Sequence, residues 1–184
     1  ILEVFWVICQ VLIGFQLVFP LLLLLLRSFL KGNSAKGLPD NALPDYAVIV
    51  TAYEQTSQLP DVVNSILRSD YERYLVYVVA DNCDITNLHF NADRVILLRP
   101  EQVLAGNVKS HFYAIQNFVR PHTHLTIIDS DNIVEPDYLS KLTVFFKLGY
   151  RAVQGVRDAK NTNTTLARLD AARDIYYHFY DGKM

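Results

Sequence analysis

The chain has 184 residues and a formal net charge of −2, a length that suits one domain with an appendage. With that charge and no basic patch, the composition gives no reason to expect nucleic acid as a partner. The two cysteines, Cys9 and Cys83, lie far apart in different surroundings, which excludes a disulfide framework and a C-x-x-C metal site. The chain begins with Ile1 instead of methionine and stops at Met184 without an evident ending. We therefore expect it to be a fragment of a longer protein.

An almost continuous apolar stretch opens the chain and predicts a transmembrane helix over residues 1–28. At ~1.5 Å per residue it is longer than the ~30 Å hydrocarbon core, so it can span with some tilt. A cleaved signal peptide would have a shorter apolar core and a small-residue cleavage site. Arg27, Lys31 and Lys36 follow, and such positive charge indicates the cytoplasmic side for the rest of the chain. Residues 29–44, with their glycines, prolines and small polar residues, predict a linker.

From residue 45 to residue 184, short apolar runs alternate with segments of helical periodicity. Strands are predicted at Tyr46–Thr51, Tyr74–Val79, Val95–Leu98, Leu125–Ile128 and Ala152–Val156. Helices are predicted at Leu59–Leu67, Val108–Val119, from Pro136 until Gly149 closes the helix, and at Thr165–Tyr180. This alternation implies βαβ units, and so an α/β fold with a mostly parallel sheet covered by helices on both faces.

Two carboxylates, Asp129 and Asp131, follow the apolar run Thr126–Ile128. Residues i and i+2 of a strand point the same way, so these two side chains are predicted to converge. Two like charges repel unless a cation lies between them, and Mg²⁺ or Mn²⁺ would leave coordination positions open for a phosphate. The alternative is an ordinary turn with solvated aspartates.

Three polar clusters fall at predicted strand ends, namely Thr51–Glu54, Asp81–Asp84 and Asp129–Asp131. Parallel sheets bind ligands outside the carboxyl ends of their strands, so the clusters predict one site at one edge. The sequence contains neither G-x-G-x-x-G after the first strand nor a P-loop. A nucleotide would therefore be held by side chains and a metal.

The sequences Thr-Ala-Tyr-Glu at 51–54, Val-Val-Ala-Asp-Asn-Cys-Asp at 78–84 and Ile-Ile-Asp-Ser-Asp-Asn at 127–132 resemble the family 2 glycosyltransferases. These enzymes have the Rossmann-like GT-A fold and use nucleotide-sugar donors. The resemblance covers about Ala47 to Tyr180. It is greatest to a membrane-anchored bacterial branch related to cellulose and poly-N-acetylglucosamine synthases, to which Ala152–Arg157 and Leu169–Asp174 are also similar.

The resemblance implies a donor site for a UDP-sugar with Mn²⁺ or Mg²⁺. Its implied residues are Thr51 and Tyr53 at the base, Asp81 at the uracil N3–H, Lys109 near the phosphates, Asp129 near ribose and metal, and Asp131 as direct metal ligand. For three residues a role outside donor binding remains open. Tyr53 is alternatively a half-buried loop aromatic, Lys109 a solvated lysine on a helix face, and Asp84 the residue of an Asx-turn.

By resemblance, the protein is expected to be an inverting glycosyltransferase of the bacterial inner membrane, with its catalytic domain in the cytoplasm. The acceptor would be a polysaccharide or glycolipid, and the catalytic base is expected beyond Met184. Alternatives are a non-catalytic membrane-tethered module of a polysaccharide synthase complex, and a nucleotidyltransferase, which usually carries a Gly-rich segment after its first strand. The sequon at Asn163 leaves a Golgi-lumen placement as a further alternative.

Overall fold

The structure is a computed structural model that describes residues 2–29, 42–90 and 93–183. The chain divides into two compact units, one formed by Lys36–Val153 and the other by Ile1–Ala35 together with Gln154–Met184. Most of the predicted linker, residues 30–41, lies outside the described residues. The linker therefore stays a prediction.

Nine helices and strands follow one another in the described part of the chain. They are α1 (Leu2–Phe29), β1 (Tyr46–Tyr53), α2 (Leu59–Leu67), β2 (Tyr74–Asp81), β3 (Val95–Leu98), α3 (Asn107–Gln116), β4 (His124–Asp129), α4 (Tyr138–Lys147) and α5 (Thr165–Lys183).

Within the described residues, α1 is the one helix that is long and apolar enough to cross a membrane, by the length and composition of Leu2–Leu26. None of its most apolar window is buried against other parts of the chain. A helix that is apolar all round and exposed is expected of a membrane span, although a signal sequence passes the same test.

The four described strands form one parallel sheet in the order β3-β2-β1-β4. In the two central strands, Tyr46–Val50 and Val76–Asp81 are buried throughout, as expected for a parallel sheet that is covered on both faces.

Side chains alternate between the two faces of the sheet and pack against different helices. On one face, Val48, Val50, Val76 and Val78 form a core with buried residues of α2 and α4. On the other face, Ala47, Ile49, Tyr77 and Val79 pack with Ala114 of α3. The predicted α/β fold with helices on both faces is thus confirmed.

The strand order places a topological switch between β1 and β4. The chain proceeds from β1 to β2 and β3 in one direction, and it then returns through α3 to β4 on the opposite side of β1. In doubly wound sheets the crevice outside the strand ends at this point is the usual place for a ligand.

The predicted strand Ala152–Val156 is wrong, because these residues have no regular secondary structure. Val153 packs on the core and Val156 is 61% exposed. A strand requires a hydrogen-bonded neighbour, and β4 is the last strand on its side of the described sheet. A short β-branched run is therefore not enough to predict pairing.

Two predicted helix boundaries also differ from the structure. The helix predicted to run to Val119 ends at Gln116, because the side-chain amide of Asn117 donates to the Tyr113 carbonyl at 2.8 Å. The helix that Pro136 was predicted to open begins at Tyr138. Its predicted closure by Gly149 is confirmed, since this residue has φ +85° and donates to the Phe146 carbonyl at 2.8 Å.

Candidate functional site

The sheet register brings four of the predicted site residues onto neighbouring strand ends. Tyr53, the last residue of β1, lies opposite Asp81, the last residue of β2. On the other side of β1, Thr51 lies opposite Asp129, the last residue of β4. Neighbouring strands are about 4.8 Å apart, so the carboxyl ends of three strands place these residues at one edge.

Asp81 is buried and already has two partners. Asp81 is 1% exposed. Its Oδ1 accepts a hydrogen bond from the backbone N–H of Leu104 (3.0 Å), and its Oδ2 accepts one from the backbone N–H of Ala105 (2.8 Å). An unpaired carboxylate would be costly at this depth, and these bonds satisfy it. Each oxygen retains a second lone pair with which to accept a further hydrogen bond.

The Asp81 hydrogen bonds fix the segment that leads into α3. Ala105 has a left-handed backbone with φ +48°, and Gly106 follows as the N-cap of α3. Lys109 lies in the first turn of this helix and is exposed. A helix N-terminus presents unpaired N–H groups and partial positive charge, so the loop places a lysine and a helix end beside the edge.

Tyr53 is an exposed aromatic residue at the end of β1, with 47% of its surface exposed. The neighbouring Glu54 carboxylate, as a hydrogen-bond acceptor and as a negative charge, raises the pKa of the Tyr53 phenol above its usual value.

Glu54 and Asn82 occupy matching positions directly after β1 and β2, and both have left-handed backbones, with φ +60° and +52°. The Asn82 side-chain amide donates to Glu54 Oε1 at 3.3 Å. Both residues belong to the polar clusters that the sequence predicts at this edge, but the sequence indicates no individual role for either. An asparagine directly after a strand favours a left-handed turn, which is a signal for Asn82, whereas Glu54 carries no such signal.

Asp84 forms the Asx-turn that was one of the alternatives for it. Its Oδ1 accepts hydrogen bonds from the Thr86 backbone N–H (2.9 Å) and the Thr86 hydroxyl (2.6 Å), which lower the pKa of Asp84. Cys83, between Asn82 and Asp84, is buried, and its thiol donates to the Asp81 carbonyl at 3.3 Å. Burial raises the pKa of Cys83, as expected for an unreactive thiol.

The two carboxylates of the D-x-D motif lie at the end of β4 and in the turn after it. The Asn132 backbone N–H closes this turn on the Asp129 carbonyl at 3.0 Å, and its side-chain amide donates to Asp129 Oδ2 at 3.3 Å. The strand ends at Asp129, so alternation along a strand does not determine the direction of Asp131. Alternation along the strand therefore does not establish that the side chains of Asp129 and Asp131 converge. The metal role of Asp131 stays a prediction.

Asp129 and Asp131 carry side chains of the type that binds Mg²⁺ or Mn²⁺. Asp129 and Asp131 are both exposed. Over residues 2–29, 42–90 and 93–183 there is no group of three or more His, Cys, Asp or Glu side chains that could hold an ion. Mg²⁺ typically takes one or two carboxylates, with substrate phosphates and water completing its shell.

Residues 44–183, more than half of the chain, match the family described as Glycosyltransferase like family 2. The chain belongs to this glycosyltransferase family. The predicted family membership is thereby confirmed, and the sheet edge described above is the edge of a glycosyltransferase domain. No curated protein sequence matches this chain significantly.

Two solved structures resemble this chain in fold. S. aureus TarS 1-349 in complex with UDP-GlcNAc has a TM-score of 0.50 at 20% identity, with 64% of this chain and 39% of that one covered. The mannosyltransferase PcManGT from Pyrobaculum calidifontis, in complex with GDP-Man and Mn²⁺, has a TM-score of 0.55 at 20% identity, with 70% and 39% covered. The predicted GT-A fold is confirmed, and the chain spans about two fifths of the length of either structure.

Proposed function

We propose that this chain is the donor-binding half of a membrane-anchored, inverting glycosyltransferase that uses a UDP-sugar and Mn²⁺ or Mg²⁺. The observation that carries the proposal is the register at the switch point, where Tyr53 lies beside Asp81 and Thr51 lies beside Asp129. These side chains have the chemistry that a nucleotide diphosphate requires, and family membership supports the assignment.

The base would bind at the ends of β1 and β2. The half-exposed Tyr53 ring offers a stacking surface, and Thr51 lies two residues before it on the same strand. The free lone pairs of Asp81 would accept the uracil N3–H in a charge-assisted hydrogen bond. Because the loop at Leu104 and Ala105 already holds this carboxylate, it is oriented before the donor arrives.

The diphosphate would lie between α3 and the end of β4. Lys109 and the N-terminus of α3 offer positive charge for the phosphate oxygens. Asp131, together with Asp129 two residues before it, would hold Mn²⁺ or Mg²⁺, and the ion would neutralise charge on the leaving diphosphate. Inversion requires a base that deprotonates the acceptor hydroxyl, and we place this base beyond Met184.

The membrane would anchor this donor site through α1. The length and composition of Leu2–Leu26 suit one span, and the basic residues that follow in the sequence favour a cytoplasmic position for residues 45–184. The enzyme would then draw its UDP-sugar from the cytoplasm of a bacterium at the inner membrane. Its acceptor would be a growing polysaccharide or a glycolipid.

Calorimetric titration of UDP into the detergent-solubilised chain, with and without Mn²⁺, tests the proposal. Asp131→Asn removes a charge with little change in shape, and Asp170→Asn makes the same change at an exposed position of α5. We expect UDP binding that depends on Mn²⁺, is lost in Asp131→Asn and is kept in Asp170→Asn. A parallel titration with GDP tests the choice of uracil.

Circular dichroism would establish that the wild type and both variants are folded. Folded wild-type protein that ignores UDP with and without Mn²⁺ would contradict the donor site. That outcome would favour a non-catalytic module of a synthase complex.

A further inference from the structure

The buried carboxylate of Asp81 connects two parts of the candidate site that lie far apart in the sequence. Asp81 ends β2, and its two oxygens accept hydrogen bonds from the backbone N–H groups of Leu104 and Ala105, 23 and 24 residues further along the chain. These two residues lead directly into α3. One side chain therefore links the strand end proposed for the base to the start of the helix proposed for the phosphates.

The loop that Asp81 holds has a backbone that requires support. Ala105 has φ +48°, a left-handed conformation that is strained for alanine and persists only where the surrounding structure holds it. Gly106 follows as the N-cap of α3, with an extended backbone at φ −177°. Gly106 has no side chain with which to bond the first N–H groups of α3, so it leaves these groups to water or a ligand.

We propose that Asp81 is a positioning residue for the diphosphate, in addition to accepting the base, because its hydrogen bonds to the loop fix the start of α3. This role rests on the proposed function, in which Lys109 and the first turn of α3 offer positive charge to the phosphates. Lys109 lies three residues after Gly106, so the direction in which α3 begins sets where its amine can meet a phosphate. A loop that had to be ordered when the donor binds would weaken binding, and Asp81 orders it in the folded protein.

Inorganic pyrophosphate separates the two roles of Asp81, because it carries phosphates but no base. If Asp81 acted on the base alone, its replacement would leave pyrophosphate binding unchanged. Asp81→Asn keeps the shape and one acceptor oxygen, but it turns an amide towards one of the two loop N–H groups. We expect about three- to tenfold weaker binding of pyrophosphate, and a larger loss for UDP, which also binds the carboxylate through its base.

Tyr53→Ala is the matched comparison. Tyr53 ends β1 opposite Asp81, and in the proposed site it contacts the base alone. We therefore expect Tyr53→Ala to weaken the binding of UDP and to leave that of pyrophosphate unchanged. The contrast between the two variants distinguishes a residue that binds only the base from one that also places the phosphate-binding helix.

The test is calorimetry on the detergent-solubilised full chain in the presence of Mn²⁺, titrated with UDP and with pyrophosphate, after circular dichroism has shown that each variant is folded. Wild-type affinity for pyrophosphate in Asp81→Asn would overturn the positioning role. Equal losses of pyrophosphate affinity in Asp81→Asn and Tyr53→Ala would also overturn it.

Hydrogen exchange in the wild type gives a second readout that does not depend on the folding of a variant. Coupling between a ligand and a loop is reciprocal, so pyrophosphate should slow the exchange of the Leu104 and Ala105 amides. A loop of unchanged exchange at saturating pyrophosphate would contradict the positioning role, because the loop and the phosphates would then be independent.

The binding of the wild type distinguishes the failure of this role from the failure of the donor site. If the wild type binds UDP and Asp81→Asn binds pyrophosphate as tightly as the wild type does, the positioning role is refuted and the donor site stands. The same holds if the wild type binds UDP but not pyrophosphate. If folded wild-type protein binds neither, the donor site is refuted, and the positioning role is refuted with it.

Discussion

Asp81 should be important for stability whether or not it binds a base, because its carboxylate accepts hydrogen bonds from Leu104 and Ala105 in a buried setting. Asp81→Ala removes both bonds and leaves two N–H groups without a partner. A hydrogen bond to a charged group is worth about 1.5–3 kcal/mol, so the free energy of unfolding should fall by about 3–5 kcal/mol. Asp81→Asn retains one acceptor oxygen but turns an amide towards an N–H donor, and it should cost about 2–3 kcal/mol.

Urea unfolding of the detergent-solubilised chain, followed by near-ultraviolet circular dichroism, measures this loss. Hydrogen exchange at the Leu104 and Ala105 amides locates it, since both should exchange faster in the Asp81 variants. Asp84→Asn is the control, because Asp84 is exposed and its bonds stay within its own turn. If the two amides exchange at wild-type rates in Asp81→Ala, the Asp81 carboxylate does not hold the loop at Leu104 and Ala105, and the prediction is refuted.

Two further predictions concern stability away from the donor edge. Asp45 forms an ion pair with Arg120 and hydrogen-bonds His122 Nδ1 at 2.9 Å, and although burial opposes the shift, these contacts lower the pKa of Asp45. The stabilising contribution of Asp45 should therefore be complete above its unfolded-state pKa and lost as the pH falls through its lower folded-state pKa. We expect the urea midpoint of Asp45→Asn to fall less than that of the wild type as the pH is lowered. Equal dependence of the two midpoints on pH would contradict this. Gly149→Ala should lower the free energy of unfolding by about 1 kcal/mol, measured by the same urea titration, because φ +85° suits glycine, and an unchanged midpoint would refute it.

Local pattern was sufficient for most of the secondary structure. The strand Val95–Leu98 has its predicted bounds, and helix α2 coincides with the periodic segment Leu59–Leu67. Burial of one face makes apolar residues recur every two residues in a strand and every 3.6 residues in a helix, and this spacing can be read from the sequence itself. The pattern failed at Ala152–Val156, because whether an apolar run becomes a strand depends on a neighbour that lies elsewhere in the chain.

The candidate site divides in the same way. The sequence by itself determined the order of the polar clusters, their place after apolar runs and the family, because these are properties of contiguous residues. Only the tertiary structure decided that Tyr53 lies opposite Asp81, that Asp81 holds the loop before α3, and that Asp131 lies in a turn. It also decided that Glu54 meets Asn82. Residues distant in sequence become partners through strand register and backbone turns, which depend on the hydrogen bonding and packing of the whole sheet.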